Sequence, residues 1–182
     1  MDCQVVKDSL IPRATFEEIP EDLKDAAVMV LLQKRQDDWY FILITRAESL
    51  SLHGGEIAFP GGRREAVDGK PEDTALRELA EEIGVPAERV TVLGTIPFVM
   101  TLGSGYAIVP IVGILDESFR SFKLQVEEVQ EVLVVPVSLF NEPSVTLGPD
   151  HYFLKGHYFK GRVIWGATWK IIMKFLETVN FP

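Results

Sequence analysis

Ala26 to Gln33 reads AAVMVLLQ, a continuous apolar run of strand length. A run without polar alternation predicts a strand covered on both faces. The polar turn Lys34 to Asp38 separates it from a second apolar segment, Trp39 to Thr45, so the two predict a hairpin. After a loop from Ser49 to Gly55, a short strand over Glu56 to Phe59 is expected, ended sharply by Pro60-Gly61-Gly62. From Thr74 to Ile83 the apolar positions Ala75, Leu76, Leu79 and Ile83 recur at helical spacing. Asp73 or Thr74 is the expected N-cap of that helix, and Gly84 is its expected stop.

Further strands are predicted over Val90 to Val99, Tyr106 to Ile114 and Glu131 to Pro136, with a helical turn at Ser138 to Asn141. A late hairpin, Tyr152 to Phe159 with Arg162 to Trp165, leads into a terminal helix from Trp165 to Val179. Residues 1–24 are polar with two prolines and read as an N-terminal arm, with a short helix around Phe16 to Leu23. The order of strands, helix, strands and helix predicts a mixed α/β sandwich around one sheet. With neither repeats nor a low-complexity linker, the 182 residues are read as a single domain.

Composition narrows the function. Hydrophobic residues make up 47% and charged residues 25%, the profile of a globular protein rather than a disordered one. A formal charge of −9 disfavours nucleic-acid backbones, whose binding depends on Lys and Arg displacing counterions. Cys3 is the single cysteine, which excludes an intrachain disulfide and a cysteine-rich zinc site. No leader-like segment and no membrane-length apolar run is seen, so a reducing, cytoplasmic setting is expected.

The chemistry concentrates on the helix from Thr74. Glu78 and Glu82 are four residues apart and Glu78 and Glu81 three, so all three carboxylates can address one side. Hard oxygen ligands of this kind suit Mg²⁺, which keeps several waters and bridges to substrate phosphates. The alternative is a solvated face with an Arg77–Glu81 ion pair. Upstream, Gly61 and Gly62 permit close backbone approach, and a carbonyl there offers a further metal ligand.

Gly62 to Val85 resembles the signature of the Nudix hydrolases, G-x5-E-x7-R-E-U-x-E-E-x-G-U with U a bulky aliphatic. Arg77-Glu78-Leu79-Ala80-Glu81-Glu82-Ile83-Gly84-Val85 matches its second half fully, whereas the first half fits only with one extra residue, which puts Asp68 at the acidic position. The same expansion occurs in the coenzyme A diphosphatase branch, whose GGxRDxxD segment resembles Gly61-Gly62-Arg63-Arg64-Glu65-Ala66-Val67-Asp68. That branch's upstream pattern is matched at Arg46, Gly55 and Phe59 to Gly62, while Ala47 and Ser51 replace its serine and arginine. Glu128-Val129 with Val135-Pro136, and Ile164-Trp165-Gly166-Ala167-Thr168, resemble later motifs of the branch.

The resemblance implies a Nudix-type α/β/α sandwich around a mixed sheet. It implies Mg²⁺-dependent hydrolysis of a nucleoside diphosphate linkage, with Mn²⁺ a possible substitute. Coenzyme A or acyl-CoA, cut to 3′,5′-ADP and (acyl-)phosphopantetheine, is the implied substrate. ADP-ribose, NADH or a nucleoside triphosphate is the enzyme alternative, and a non-catalytic nucleotide-sensing module the alternative of another class. Implied metal ligands are Glu78, Glu82, Glu81 and the Gly62 carbonyl, with Arg77 holding the glutamates and Glu81 orienting a water. Glu128 and Glu131 are the candidate general bases, with Glu127 beside them; the alternative is a surface charge run. Arg46, Gly55 and Phe59 are the implied substrate-side positions, Arg46 being alternatively a strand-end ion pair. His53 is weighed as a substrate contact against a solvated loop residue. Trp165 and Trp169 read as packing residues, and Tyr152, Phe153 and Tyr158 as pocket or hairpin side chains. The expected partner is a small-molecule nucleotide, with no nucleic acid or membrane; a homodimer remains open.

Overall fold

The computed structural model describes residues 2–50, 53–101, 105–147 and 154–181. At its centre lies β1 (Lys24–Arg35), parallel to β7 (Tyr106–Leu115) along one edge from Lys24 to Leu32. The other edge is shared. β2 (Asp38–Arg46) pairs antiparallel with Leu31 to Arg35, and β4 (Gly61–Arg63) pairs with Ala26 to Val28. Beyond β2 runs β8 (Val129–Pro136), while β3 (Ile57–Ala58) pairs with Ile44 and Thr45. β5 (Val90–Thr95) and β6 (Val99–Met100) both pair with β7.

The apolar run of β1 is buried on both faces because each face carries its own helix. Ala27, Met29 and Leu31, with Ile42 and Ile44 of β2, pack under Ala75, Leu79 and Ile83 of α2 (Pro71–Ile83). The intervening Val30 and Leu32, with Phe41 and Leu43, pack against Ile171, Ile172 and Phe175 of α3 (Gly166–Thr178). Period-two alternation thus divides one apolar run between two cores. The result is the expected α/β/α sandwich around a mixed sheet. A three-stranded sheet of β9 (Val145–Leu147), β10 (Leu154–Phe159) and β11 (Arg162–Trp165) leads into α3.

Several boundaries differ from the sequence reading. Helix α2 starts at Pro71 rather than Thr74, with Lys70 as N-cap. Proline at the first helical position loses no needed hydrogen bond. Asp73 is therefore the third helical residue, where its carboxylate accepts from the Gly69 and Lys70 N–H groups, both at 3.1 Å. Gly84 stops the helix in the left-handed conformation at φ 68°, as expected. The predicted strand Val90–Val99 is divided into β5 and β6 at Ile96 to Phe98, where Pro97 has no N–H to give the ladder, while a register shift between Val92 and Gly94 lies inside β5. The Gly61-Gly62 turn is itself a short strand. The N-terminal arm carries a helix, α1 (Cys3–Ser9), whose Val6 is buried, while Phe16 to Leu23 holds only a short 3-10 turn at Phe16–Glu18. Tyr152 and Phe153 lie outside the described residues.

Candidate active site

The ends of β2 and β4 and the starts of β1, β7 and β8 meet at one end of the sheet, and α2 lies over that end on one face. The Gly61 N–H donates to Glu82 Oε2 at 2.9 Å, tying the glycine turn to the last turn of α2. An alanine Cβ at Gly62 would overlap the Glu78 carboxylate. Gly62 is thus bare where Glu78 must pass. This close approach is what the paired glycines provide.

Arg77 organises the surrounding acids. Its guanidinium donates through Nη1 to Glu78 Oε1 at 3.0 Å and Glu81 Oε2 at 2.9 Å. Through Nη2 it reaches Asp68 Oδ2 and the Arg63 carbonyl, each at 3.0 Å. Asp68, only 3% exposed, also accepts from the Glu65 N–H and the Thr74 hydroxyl, both at 2.9 Å. Its carboxyl is held down at about 2, chiefly by the Arg77 hydrogen bond, and Arg77 in turn is raised, first by Asp68. The extra residue of the loop therefore closes on a buried clamp.

Glu82 is 1% exposed, and burial pushes its carboxyl up to about 8. The Gly61 N–H and Arg46 oppose that rise, but the Arg46 Nη1 at 3.9 Å is too distant to cancel it. Glu78 is raised too, by burial first, and Glu128 adds repulsion at both glutamates. Glu81 is half exposed.

The donors fit a hard divalent cation. Two carboxylates are desolvated side by side with too little positive charge to balance them, the condition a metal relieves. Among the described residues no three His, Cys, Asp or Glu side chains converge on one point. Arg77 draws Glu78 and Glu81 toward itself instead. A full cage is not required, because Mg²⁺ is commonly held by one or two carboxylates plus water and substrate phosphates.

Of the three candidate bases, Glu128 is the one whose charge is felt by Glu78 and Glu82. It accepts from Gln125 Nε2 at 3.2 Å, a partner the sequence reading missed, and its carbonyl takes the Ala47 N–H at 2.8 Å. Glu131 is paired across the ladder with Thr45, and Arg162 Nη1 lies 2.7 Å from Thr45 Oγ1 and 3.9 Å from Glu131. Thr45 alternates with Ile44, so this group occupies the α3 face, away from α2. Glu127 is exposed.

Arg46 faces the carboxylates at the end of β2, and its carbonyl accepts from the Gly55 N–H at 3.0 Å. Phe59 does not suit the substrate-side position: it is 3% exposed, with its ring edge-on to Phe41 at 5.7 Å. A phenylalanine beside a polar turn reads alike in sequence whether it supports the turn or faces the ligand. His53 meets Glu56 at 3.0 Å, and Ser51 lies outside the described residues. Trp169 donates to the buried His157 at 3.0 Å, a packing role, whereas Tyr158 is exposed.

The NUDIX domain pattern matches residues 23–146. An uncharacterized Nudix hydrolase, NudL of Yersinia enterocolitica, is 30% identical over 161 residues, covering 85% of this chain and 81% of its own. The peroxisomal coenzyme A diphosphatase NUDT7 of Mus musculus is 36% identical over 120 residues, covering 65% of this chain but only 50% of its own. Among solved structures, a MutT/nudix family protein from Enterococcus faecalis superposes with a TM-score of 0.58 at 20% identity. It covers 90% of this chain and 65% of that one. The Nudix hydrolase RenU of M. smegmatis gives 0.55 at 23% identity over 71% of this chain and 81% of its own, so both likenesses concern the fold. Nudix hydrolases generally use divalent metal ions, in keeping with the carboxylates gathered here. Among the described residues no helix is long and apolar enough to cross a membrane. The chain belongs to the Nudix hydrolase family, a pyrophosphohydrolase acting on nucleotide diphosphate substrates.

Proposed function

We propose that the substrate is coenzyme A or an acyl-CoA, cut at the diphosphate to 3′,5′-ADP and (acyl-)phosphopantetheine. The observation that carries this reading is the Asp68–Arg77 clamp. It closes the one-residue expansion of the motif, the feature shared with the coenzyme A diphosphatase branch, on a buried and fully partnered carboxylate. Similarity to the mouse coenzyme A diphosphatase supports it.

Glu78, Glu82 and the Gly62 carbonyl would hold the metal, Mg²⁺ with Mn²⁺ able to replace it, and Glu81 would join them or orient a water. When bound, the ion supplies charge neutralisation on the diphosphate and acidifies water. Arg77 holds Glu78 and Glu81 in register and is a positioning residue. Glu128 accepts the proton of the water that adds to one phosphorus, as the bridging P–O bond breaks and its electron pair leaves with the other phosphate. Arg46 offers a guanidinium to a phosphate oxygen of the bound substrate.

The experiment is a turnover panel of coenzyme A, ADP-ribose, NADH and deoxynucleoside triphosphates, each with Mg²⁺ and with Mn²⁺. The expected result is the highest kcat/KM on coenzyme A, with 3′,5′-ADP as product. No coenzyme A turnover, alongside ready cleavage of another member, sinks the substrate assignment and leaves the diphosphatase chemistry intact.

A further inference from the structure

Three strands bring Lys24, Arg63 and Tyr106 together at one corner of the sheet. Lys24 opens β1 opposite Tyr106, which opens β7, and Arg63 closes β4 opposite Ala26. Gly62 is paired with Ala27, on the α2 face, so Arg63 and its neighbours turn to the opposite face. The Lys24 Nζ stands 5.3 Å from the Tyr106 ring centroid and the Arg63 Cζ 5.2 Å.

Both cations are exposed, and among the described residues neither has a carboxylate within 4.0 Å. Arg64 beside them does: it meets Asp25 at 3.1 Å. In a chain of charge −9, two unpaired cations sharing one ring call for a reason. The attraction of an exposed cation to a ring is weak, and two cations so placed repel one another. The Tyr106 hydroxyl is covered and, among the described residues, has no hydrogen-bond partner. A covered, unpartnered hydroxyl carries a cost that a nearby acceptor relieves.

An anion between the two cations answers their mutual repulsion and their lack of carboxylate partners. The corner is also one residue from the carboxylates: the Arg63 carbonyl accepts from Arg77, and Gly62 makes room for Glu78. Successive residues of β4 thus address two faces, and among the described residues that strand pairs only with β1. Its outer edge faces Glu82 and Arg77, through the Gly61 N–H and the Arg63 carbonyl, so the corner borders the carboxylate site.

The geometry points to a second anion subsite, in which Lys24 and Arg63, with Tyr106, take a phosphate monoester that the substrate carries besides its scissile diphosphate. A dianionic phosphate matches two cations in charge and offers acceptors in the directions a guanidinium presents. This deepens the reading above and rests on it only for the identity of the group, which in coenzyme A is the 3′-phosphate.

The test is binding of 3′,5′-ADP and of 5′-AMP to the intact protein, measured by titration calorimetry, for wild type, Arg63→Lys and the Lys24→Ala/Arg63→Ala double variant. Wild type is expected to prefer 3′,5′-ADP by about tenfold or more, and the double variant to prefer it by less than about twofold. Arg63→Lys, which keeps the charge, should retain most of the preference. In turnover the double variant should raise the KM for coenzyme A far more than it lowers kcat. No preference in wild type, or a preference unchanged in the double variant, overturns the subsite. If the preference behaves as expected while coenzyme A is not cleaved, the subsite stands and the substrate assignment falls; coenzyme A cleavage with the preference intact in the variant gives the reverse.

Discussion

Gly61 and Gly62 are neighbours in sequence, yet replacing each with alanine should damage different properties. At Gly62 the added Cβ overlaps the Glu78 carboxylate and lies 2.8 Å from Glu78 Oε2, which is the far end of a flexible side chain. Glu78 can swing aside at a cost of about 1 kcal/mol, so the melting temperature should move by no more than about 4 °C. Displacement of a catalytic group by about 1 Å is, however, enough to cost about a hundredfold in rate. At Gly61 the Cβ meets backbone that cannot move aside, overlapping the Ala27 carbonyl and lying 2.5 Å from Val28 Cα, and φ is 153°. Overpacking of about 1–3 kcal/mol together with backbone strain of about 1 kcal/mol gives about 3 kcal/mol, or about 6–12 °C. Calorimetric melting of both variants, beside kcat on the best substrate of the panel, separates the two effects. Gly62→Ala melting as low as Gly61→Ala, or Gly62→Ala keeping full kcat, would refute the assignment of Gly62 as the space reserved for Glu78.

Other predictions use the same site. Glu128→Gln should lower kcat by about 10² to 10⁴ at saturating metal, and full kcat removes Glu128 from the proton transfer. Glu82→Gln should be at least as stable as wild type in EDTA above about pH 8, where the wild-type carboxylate is charged and a neutral amide avoids burying that charge. Addition of Mg²⁺ at about one hundred times its Kd should stabilise wild type by about 2.7 kcal/mol and leave the variant unmoved; equal gains in melting temperature would exclude Glu82 as a ligand. Asp68 is depressed from 3.8 to about 2, so the folded state holds its proton less tightly than the unfolded chain. Its contribution, about 2 kcal/mol, is present above about pH 4 and lost as the pH falls toward 2. Chemical denaturation across that window should show a steeper loss for wild type than for Asp68→Asn, and parallel curves would contradict the clamp.

The fold was legible wherever a signal is local. The eight residues from Ala26 to Gln33 announced a doubly covered strand, because both faces of β1 had to be apolar. Spacing within α2 separated its buried stripe from its acids, and Gly84 marked its end. The start at Pro71 was legible in principle, since proline is preorganised for a first turn. The arm was misjudged because the aliphatic residues around α1 come as adjacent pairs, Val5-Val6 and Leu10-Ile11, too few to show a period, and only Val6 and Leu10 of them are buried. Their burial comes from packing at β5, where Ile11 bridges to Thr95.

Residues whose meaning depends on pairing were not legible. Glu128 and Glu131 are equivalent in sequence, and only the register that sets Thr45 opposite Glu131 sends one of them to the wrong face. Phe59 and Gly62 both belong to the same motif, yet alternation and the crossing from β2 to β1 bury the first in the core and set the second beneath Glu78. The corner formed by Lys24, Arg63 and Tyr106 depends most on pairing, because it needs a parallel ladder between β1 and β7 and an antiparallel one between β1 and β4. A one-residue slip of β4 would send the Arg63 side chain to the α2 face, among the carboxylates, and place the Gly62 gap where no glutamate needs it. The same register therefore sets both the opening for Glu78 and the cation beside Tyr106, so the chemistry on one face and the selectivity proposed for the other are fixed by a single strand.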